Sequence, residues 1–156
     1  MMPLAGFMIA MAISARLPDR VYDGCPGSFV FFKPDSARLD QQARVILSNS
    51  AIWMIQAVHE GRGGTWVEIV ASSDEGETAP GNRRLSQRRA NSVRDLLVGR
   101  GIRKDFIRAT GGGLGSPLLA GLTPAQGRAT ERRAEAGLGM TREAWQRAFP
   151  SGAPIC

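Results

Sequence analysis

Hydrophobic residues recur along this chain with two periods, one of about two residues and one of three to four. The run 28–32 (SFVFF) is aromatic and β-branched, and residues 66–72 alternate apolar with polar positions, so both segments predict strands. Between them, apolar or small side chains at every third or fourth position predict a helix that is capped by Asp35 or Ser36 and ends at Gly61. These positions are Leu39, Ala43, Ile46, Ser50, Trp53 and Ala57.

The second half of the chain continues the alternation of elements. A helix is predicted from Asn82, its expected N-cap, to Gly99, and residues 106–110 predict the next strand. The glycine-rich stretch 111–115 predicts a loop, and residues 132–138 predict a last strand. Strands that alternate with helices indicate an α/β (α+β) layered domain with at least one parallel crossover.

A short amphipathic segment follows the last predicted strand. Thr141 can cap a helix of one to two turns that ends at Pro150. One side of this helix is apolar, and we expect it to dock onto the domain; a partner-binding surface is the alternative. The residues on that side are Ala144, Trp145, Ala148 and Phe149.

The N-terminal stretch 1–15 (MMPLAGFMIAMAISA) is apolar, lacks charged side chains and ends in small residues. It is shorter than the roughly 20 residues that span a bilayer, and it predicts a secretory signal cleaved after Ala12 or Ala15. A buried or frayed N-terminal segment is the alternative. The predicted division of the chain is a signal peptide over 1–15, a linker over 16–27, one domain over 28–139 and an extension with a short helix over 140–156.

The two cysteines, Cys25 and Cys156, lie near the two ends of the chain that would remain after cleavage of the signal. Export would permit them to form a disulfide, because disulfides persist in oxidising compartments. Two unpaired thiols are the alternative, and the sequence leaves both open. The cysteines do not have the spacing of metal ligands, so no metal site is predicted.

The formal net charge of +6 indicates an anionic partner, such as nucleic acid, membrane headgroups or a carboxylate-bearing polymer. Nucleic acid is not expected, because Tyr22, Trp53 and Trp66 do not form an evident stacking series with arginines. An enzyme is not expected either. The single histidine, His59, lies at a predicted helix end, and the acidic loop 74–77 is interpreted as a solvated surface.

Arg89 lies in the middle of the apolar stripe of the second predicted helix. A guanidinium cannot be neutralised, so it needs an anion there. Asp74, just beyond the strand 66–72, is the nearest candidate in sequence, and the two side chains could frame a small polar pocket. The alternatives are a side chain that extends its charged head into water and one half of a structural ion pair.

The same segment carries a family resemblance. Residues 85–93 (LSQRRANSV), preceded at the expected interval by Ser73, Asp74 and Asn82, resemble the peptidoglycan-binding OmpA-like C-terminal domain. Further matches are the first strand with Asp35-Ser36-Ala37, the loop with Gly111, Gly113 and Pro117, and the stretch 127–133 (GRATERR). The resemblance implies a single domain in which a mixed sheet of about four strands packs against two main helices, in the order β-α-β-α-β-β.

The resemblance also implies a ligand and a set of ligand-binding residues. In that family an Asp and an Arg at the positions of Asp74 and Arg89 bind the free amino acid end of diaminopimelate in the peptidoglycan stem peptide. The carboxylate then holds the ligand ammonium and the guanidinium holds its carboxylate. Asn82 matches a residue that lines the pocket, Arg132 could reach the ligand carboxylate, and Ser73 keeps the hydroxyl of the usual Thr.

The expected function is therefore non-enzymatic, non-covalent binding of peptidoglycan in the periplasm of a Gram-negative bacterium, which tethers the protein to the cell wall. No cofactor and no transmembrane segment in the exported chain are expected, and other envelope proteins, including those of the outer membrane, are expected as further partners. The alternative is an OmpA-like fold kept as a protein-interaction module without peptidoglycan binding. Two departures from the family pattern, Lys33 and Glu131, lie near the expected pocket.

Overall fold

A mixed sheet forms one layer of the molecule and two long helices pack on it. The computed structural model describes residues 21–22, 27–60, 63–77 and 82–151. Its strands are β1 (Val21–Tyr22), β2 (Ser28–Phe31), β3 (Thr65–Ser73), β4 (Ile107–Leu114) and β5 (Arg133–Met140). Its helices are α1 (Gln41–Glu60), α2 (Asn82–Gly99), α3 (Pro124–Glu131) and α4 (Arg142–Ala148), with a 3₁₀ turn over Lys104–Phe106.

The sheet is centred on β3 and β5. β3 pairs in parallel with β4 and antiparallel with β5, whose other edge pairs antiparallel with β2 and then β1. The unit β3-α2-β4 is the predicted parallel crossover. The predicted mixed sheet, its two main helices and the order β-α-β-α-β-β are confirmed, with β1 as an added short strand.

The core lies between α1, α2 and one face of the sheet. Val67, Ile69 and Ala71 of β3 point into it and are fully buried, as the alternation predicts. On the opposite face Glu68 is also buried, and it accepts a hydrogen bond from the indole Nε1 of Trp66. A carboxylate is tolerated there because it has a donor.

The predicted loop 111–115 is mostly strand, since β4 continues through Leu114. Gly111 packs against the backbone of α2, where a Cβ atom would lie 2.3 Å from the amide nitrogen of Gln87. The side chain of Gln87 reinforces this contact by accepting from Gly111 N at 2.9 Å and donating to Ala109 O at 3.1 Å. The glycine therefore serves close packing of a strand on a helix rather than a turn.

The predicted caps of the first and second helices are wrong. Asp40, not Asp35 or Ser36, caps α1, and its Oδ1 accepts from Ala43 N at 2.8 Å. Asp35 has a φ of 53° in the preceding turn, a conformation that excludes it from the helix. Asn82 is the first residue of α2, and its buried Oδ1 has no hydrogen-bond partner among the described residues, so it does not cap.

Helix α3 was not predicted, although the sequence carries its start signal. The Thr123 hydroxyl accepts from Gln126 N at 3.3 Å, and the Gln126 side chain accepts from Thr123 N at 3.0 Å. This is a capping box, and Pro124 follows the cap at the first helical position. The helix ends at the cap residue Arg132, so it fixes where the backbone of that residue lies.

Helix α4 confirms the predicted role of Thr141, whose hydroxyl accepts from Ala144 N at 3.2 Å. The helix ends at Ala148, and Trp145 and Phe149 pack against the core, as expected for a docked extension. Backbone and Thr141 hydrogen bonds lower the pKa of the Glu143 carboxyl below its ordinary value. The predicted signal peptide, Cys25 and Cys156 lie outside the described residues. None of the helices in the described part of the chain is both long and apolar enough to cross a membrane.

Candidate functional site

Arg89 is fully buried where α2 crosses the end of β3, which excludes a side chain with its charged head in water. A guanidinium has five N–H donors, and all five have acceptors within the protein. Nε donates at 2.8 Å, and Nη1 and Nη2 donate twice each. The acceptors are the carbonyl oxygens of Lys33, Ser36 and Ser72 and both carboxylate oxygens of Glu77.

The carboxylate of Glu77 is the anion that neutralises Arg89. It is buried and accepts four hydrogen bonds, two on each oxygen. Oε2 accepts from Arg89 Nη1 at 2.7 Å and from Asp74 N at 3.0 Å. Oε1 accepts from Arg89 Nη2 and from Asp35 N, the latter at 2.9 Å. The guanidinium and two backbone amides thus form a four-donor cradle around one carboxylate.

Asp74, the nearest candidate in sequence for the anion of Arg89, does not pair with it in the structure. Asp74 is buried, but its Oδ2 lies 2.6 Å from Nη1 of Arg132, and its Oδ1 accepts from Gly76 N at 2.6 Å. Arg89 instead pairs with Glu77, because the turn 74–77 folds back on itself. The backbone bond from Glu77 N to Asp74 O, at 3.3 Å, closes that turn.

Arg132, directly before β5, is hydrogen-bonded to Phe32, directly after β2. Its Nε donates to Phe32 O at 3.1 Å, and Phe32 N donates to Arg132 O at 2.8 Å. The ring of Phe32 lies under the guanidinium of Arg89, 5.1 Å from its central carbon. Phe32 therefore contacts both arginines, and the Asp74–Arg132 and Glu77–Arg89 pairs lie side by side.

At the other side of the site, Ser73 at the end of β3 is hydrogen-bonded to Asn82 at the start of α2. The Ser73 hydroxyl is fully buried between two carbonyl oxygens, that of Gly113 at 3.1 Å and that of Asn82 at 3.3 Å. The side chain of Asn82 is half-buried, and its Oδ1 is one of two buried side-chain atoms in the described residues without a partner. The other is Nε1 of Trp145.

The interpretation of 74–77 as a solvated acidic loop holds only for its exposed apex, Glu75 and Gly76. Lys33 offers the site its carbonyl oxygen, while the residue as a whole is exposed. Sequence reasoning missed the role of Glu77. Its position three residues after Asp74 indicates that Glu77 can lie beside Asp74, since a four-residue turn brings its first and last residues together.

A groove of about 520 Å³ opens beside the turn. Glu75, Arg128 and Glu131 supply its charged residues, and the segment 117–124 supplies much of its apolar wall. Gly76 and Arg128 are close enough that a Cβ on the glycine would lie 3.6 Å from the arginine Cδ. Within the described residues, no group of His, Cys, Asp and Glu side chains could hold a metal ion.

Comparison with known proteins gives consistent matches over this domain. The sequence model of the OmpA family matches residues 31–136. Outer membrane porin F of Pseudomonas aeruginosa is 33% identical over 108 residues, which are 69% of this chain and 29% of porin F. The chain therefore corresponds to less than a third of that relative.

Solved structures show the same fold. The peptidoglycan-associated lipoprotein from Burkholderia pseudomallei superposes with a TM-score of 0.60 and 26% identity, covering 71% of this chain and 89% of the lipoprotein chain. The C-terminal domain of Helicobacter pylori MotB gives a TM-score of 0.64 over 81% of this chain and 92% of its own. At 13% identity, the MotB likeness concerns the fold alone.

Proposed function

This chain belongs to the OmpA family, and we propose that it binds peptidoglycan non-covalently through the diaminopimelate of the stem peptide, tethering it to the cell wall. The relative from Burkholderia pseudomallei is by its name associated with peptidoglycan, and it covers most of the same domain. Because a shared fold alone does not establish a function, the proposal depends on the chemistry of the site. We further propose a periplasmic, non-enzymatic protein of a Gram-negative envelope.

The observation that carries the proposal is the four-donor cradle. Arg89 and the backbone amides of Asp35 and Asp74 direct four hydrogen bonds at one carboxylate. Charge-assisted hydrogen bonds contribute roughly 1.5 to 3 kcal/mol each, so such an arrangement selects a carboxylate over a neutral group. The free end of diaminopimelate carries a carboxylate, and Glu77 marks the place that it would take.

The ammonium of the same zwitterion needs an anion and an uncharged acceptor. Asp74 would supply the anion, since its carboxylate lies beside the cradle. Asn82 would supply the acceptor, because its buried Oδ1 has no partner in the described residues. In this proposal Arg132 orients Asp74 and borders the ligand carboxylate, while Ser73 holds the loop that carries Asp74.

The groove beside the turn would accommodate the rest of a stem peptide. Its volume of about 520 Å³ suits a few residues of peptide, and Arg128 offers a cation on one wall. Binding at a single site through a few charged contacts is weak. A polymer with many identical stem peptides would retain the protein by repeated rebinding and by avidity.

A sacculus-retention experiment with matched variants tests the proposal. We expect the full chain to be retained by insoluble diaminopimelate-type peptidoglycan and Asp74→Asn to be retained at least fivefold less. Asp105→Asn, which removes an exposed carboxylate far from the site, should bind like the unmodified protein. Nuclear magnetic resonance titration with meso-diaminopimelate and with Nα-acetyl-lysine amide tests recognition of the zwitterionic end of the ligand, because the blocked lysine keeps a side-chain ammonium but has no free carboxylate.

Equal retention of all three proteins, or equal shifts with Nα-acetyl-lysine amide and diaminopimelate, would contradict the assigned site. Absence of retention for the unmodified protein would favour the alternative, a protein-interaction module with the same fold. One observation supports that alternative: every donor of Arg89 already has an acceptor within the chain.

A further inference from the structure

The cradle that suits a ligand carboxylate is occupied by a carboxylate of the same chain. Glu77 uses both oxygens to accept from Arg89, and each oxygen also accepts one backbone amide, that of Asp35 or that of Asp74. Arg89 is fully buried and its remaining donors bond to carbonyl oxygens. An external carboxylate can reach Arg89 only where Glu77 leaves.

The segment that carries Glu77 is a single turn with an exposed apex. Its closing bonds are Glu77 N to Asp74 O, at 3.3 Å, and Gly76 N to Asp74 Oδ1, at 2.6 Å. The apex residues Glu75 and Gly76 are exposed, while Asp74 and Glu77 are buried beneath them. Movement of residues 75–77, with Asp74 held by Arg132, would open the cradle to solvent without displacing β3.

Glu77 and a ligand carboxylate would make the same contacts. Each is a planar anion with two oxygens, and the same guanidinium and amides would satisfy either one. The two are therefore mutually exclusive at this place. Occupation from within the chain has the advantage of high effective concentration, because Glu77 is connected to Asp74 by only two residues.

We infer that Glu77 is a built-in competitor: its carboxylate closes the Arg89 cradle, and a peptidoglycan carboxylate binds by displacing it as residues 75–77 move away while Asp74 stays paired with Arg132. This gating role of Glu77, its displacement by a peptidoglycan carboxylate, rests on the proposed function. The ability of the cradle to bind a carboxylate does not. The apparent affinity for the ligand is reduced by the fraction of molecules in which the turn is open. Removal of the internal carboxylate should raise that affinity.

The first experiment tests the cradle without any peptidoglycan. Glu77→Ala leaves four donors around an empty position, and sodium acetate should restore the missing carboxylate. We expect acetate to raise the melting temperature of Glu77→Ala in a saturable manner relative to sodium chloride of equal ionic strength. Glu75→Ala, two positions away at the exposed apex, and the unmodified protein should respond equally to both salts. Equal responses of Glu77→Ala to the two salts would overturn the cradle.

The second experiment tests competition and uses Glu77→Gln, which keeps the shape of the side chain and folds if the alanine variant does not. We expect meso-diaminopimelate to bind Glu77→Gln at least tenfold more tightly than the unmodified protein, with the distant control Asp105→Asn unchanged. Equal or weaker binding by Glu77→Gln would overturn the competitor role. Failure of every variant to bind diaminopimelate, together with acetate rescue of Glu77→Ala, would overturn the proposed function and the gating role while leaving the carboxylate cradle in place.

Discussion

Asp74 and Arg132 meet in a 2.6 Å contact between Oδ2 and Nη1, across 58 positions of sequence. This contact connects the end of β3 to the start of β5, and the second arginine nitrogen, Nε, continues it to the carbonyl oxygen of Phe32. Asp74 therefore has its own cation, Arg132, and does not depend on Arg89 of α2. The site consists of two adjacent ion pairs rather than one shared pair.

We expect Arg132→Gln to lower the free energy of unfolding by about 1–3 kcal/mol, because it removes charged donors from a buried carboxylate and a carbonyl oxygen. Chemical denaturation measures the change. Arg103→Gln is the matched control, since its pair with Asp105 is exposed on both sides. The control should lie within about 0.5 kcal/mol of the unmodified protein. Equal effects of the two substitutions would contradict the described role of Arg132.

The pair of Arg89 and Glu77 should be strongly coupled. Arg89→Met leaves a buried carboxylate without its cation, and we expect a loss of about 3–5 kcal/mol. With Glu77→Gln in the same chain the loss should be smaller than the sum of the two single losses by at least about 1 kcal/mol. A double-mutant cycle by urea denaturation measures this difference.

The partly buried Arg94 and its exposed neighbour Asp95 provide the control cycle on the same helix. Their coupling should stay below about 0.5 kcal/mol, because solvent screens such pairs. The three carbonyl oxygens that lose Arg89 do so in both the single and the double variant, so their cost cancels within the cycle. A coupling of Arg89 with Glu77 no larger than that of the control would contradict the buried pair.

Gly111→Ala should destabilise the protein by about 1–3 kcal/mol or more, since the added methyl group would lie 2.3 Å from Gln87 N and force β4 away from α2. Gly99→Ala is the matched control: a Cβ there meets nothing within 4 Å. It should be neutral or stabilise by up to about 1 kcal/mol through the unfolded chain. Thermal unfolding of both variants checks the contrast, and comparable losses would argue against the close packing of strand on helix.

Thr123→Ala should lower the free energy of unfolding by about 1 kcal/mol, because it removes the hydroxyl that caps α3 at Gln126 N. Thr123→Ser keeps that hydroxyl and should have little effect. Hydrogen exchange of the amides in α3 provides a local measurement beside denaturation. Unchanged exchange in Thr123→Ala would show that the cap does not hold the helix.

The sequence predicted those elements whose signals are local. The alternation of residues 66–72 and the apolar stripe around Arg89 lie within single elements, so the bounds of β3 and α2 were close to those observed. Gly111 was assigned to a loop because glycine is common in turns, and only the approach of α2 explains why a strand requires it. The capping signal of Thr123 and Gln126 is local as well and is sufficient to predict the start of α3.

The site was predicted only in part, for a different physical reason. That Arg89 needs an anion follows from its place on the helix. Which anion it receives depends on how the turn 74–77 folds, because this turn carries three carboxylates, those of Asp74, Glu75 and Glu77. Glu77 pairs with Arg89 because it is buried and accepts backbone amides there, whereas Asp74 pairs with Arg132. Such choices depend on tertiary contacts that separate segments make only after folding.

The place of β5 between β3 and the two N-terminal strands has a consequence for the order of assembly. During synthesis β2 and β3 emerge early, yet each has to wait for residues 133–140 before its antiparallel partner exists. Arg132 and its bond to Phe32 emerge equally late. Until residues 133–140 join the sheet, the chain therefore presents two unpaired strand edges, at which it can pair wrongly with other chains.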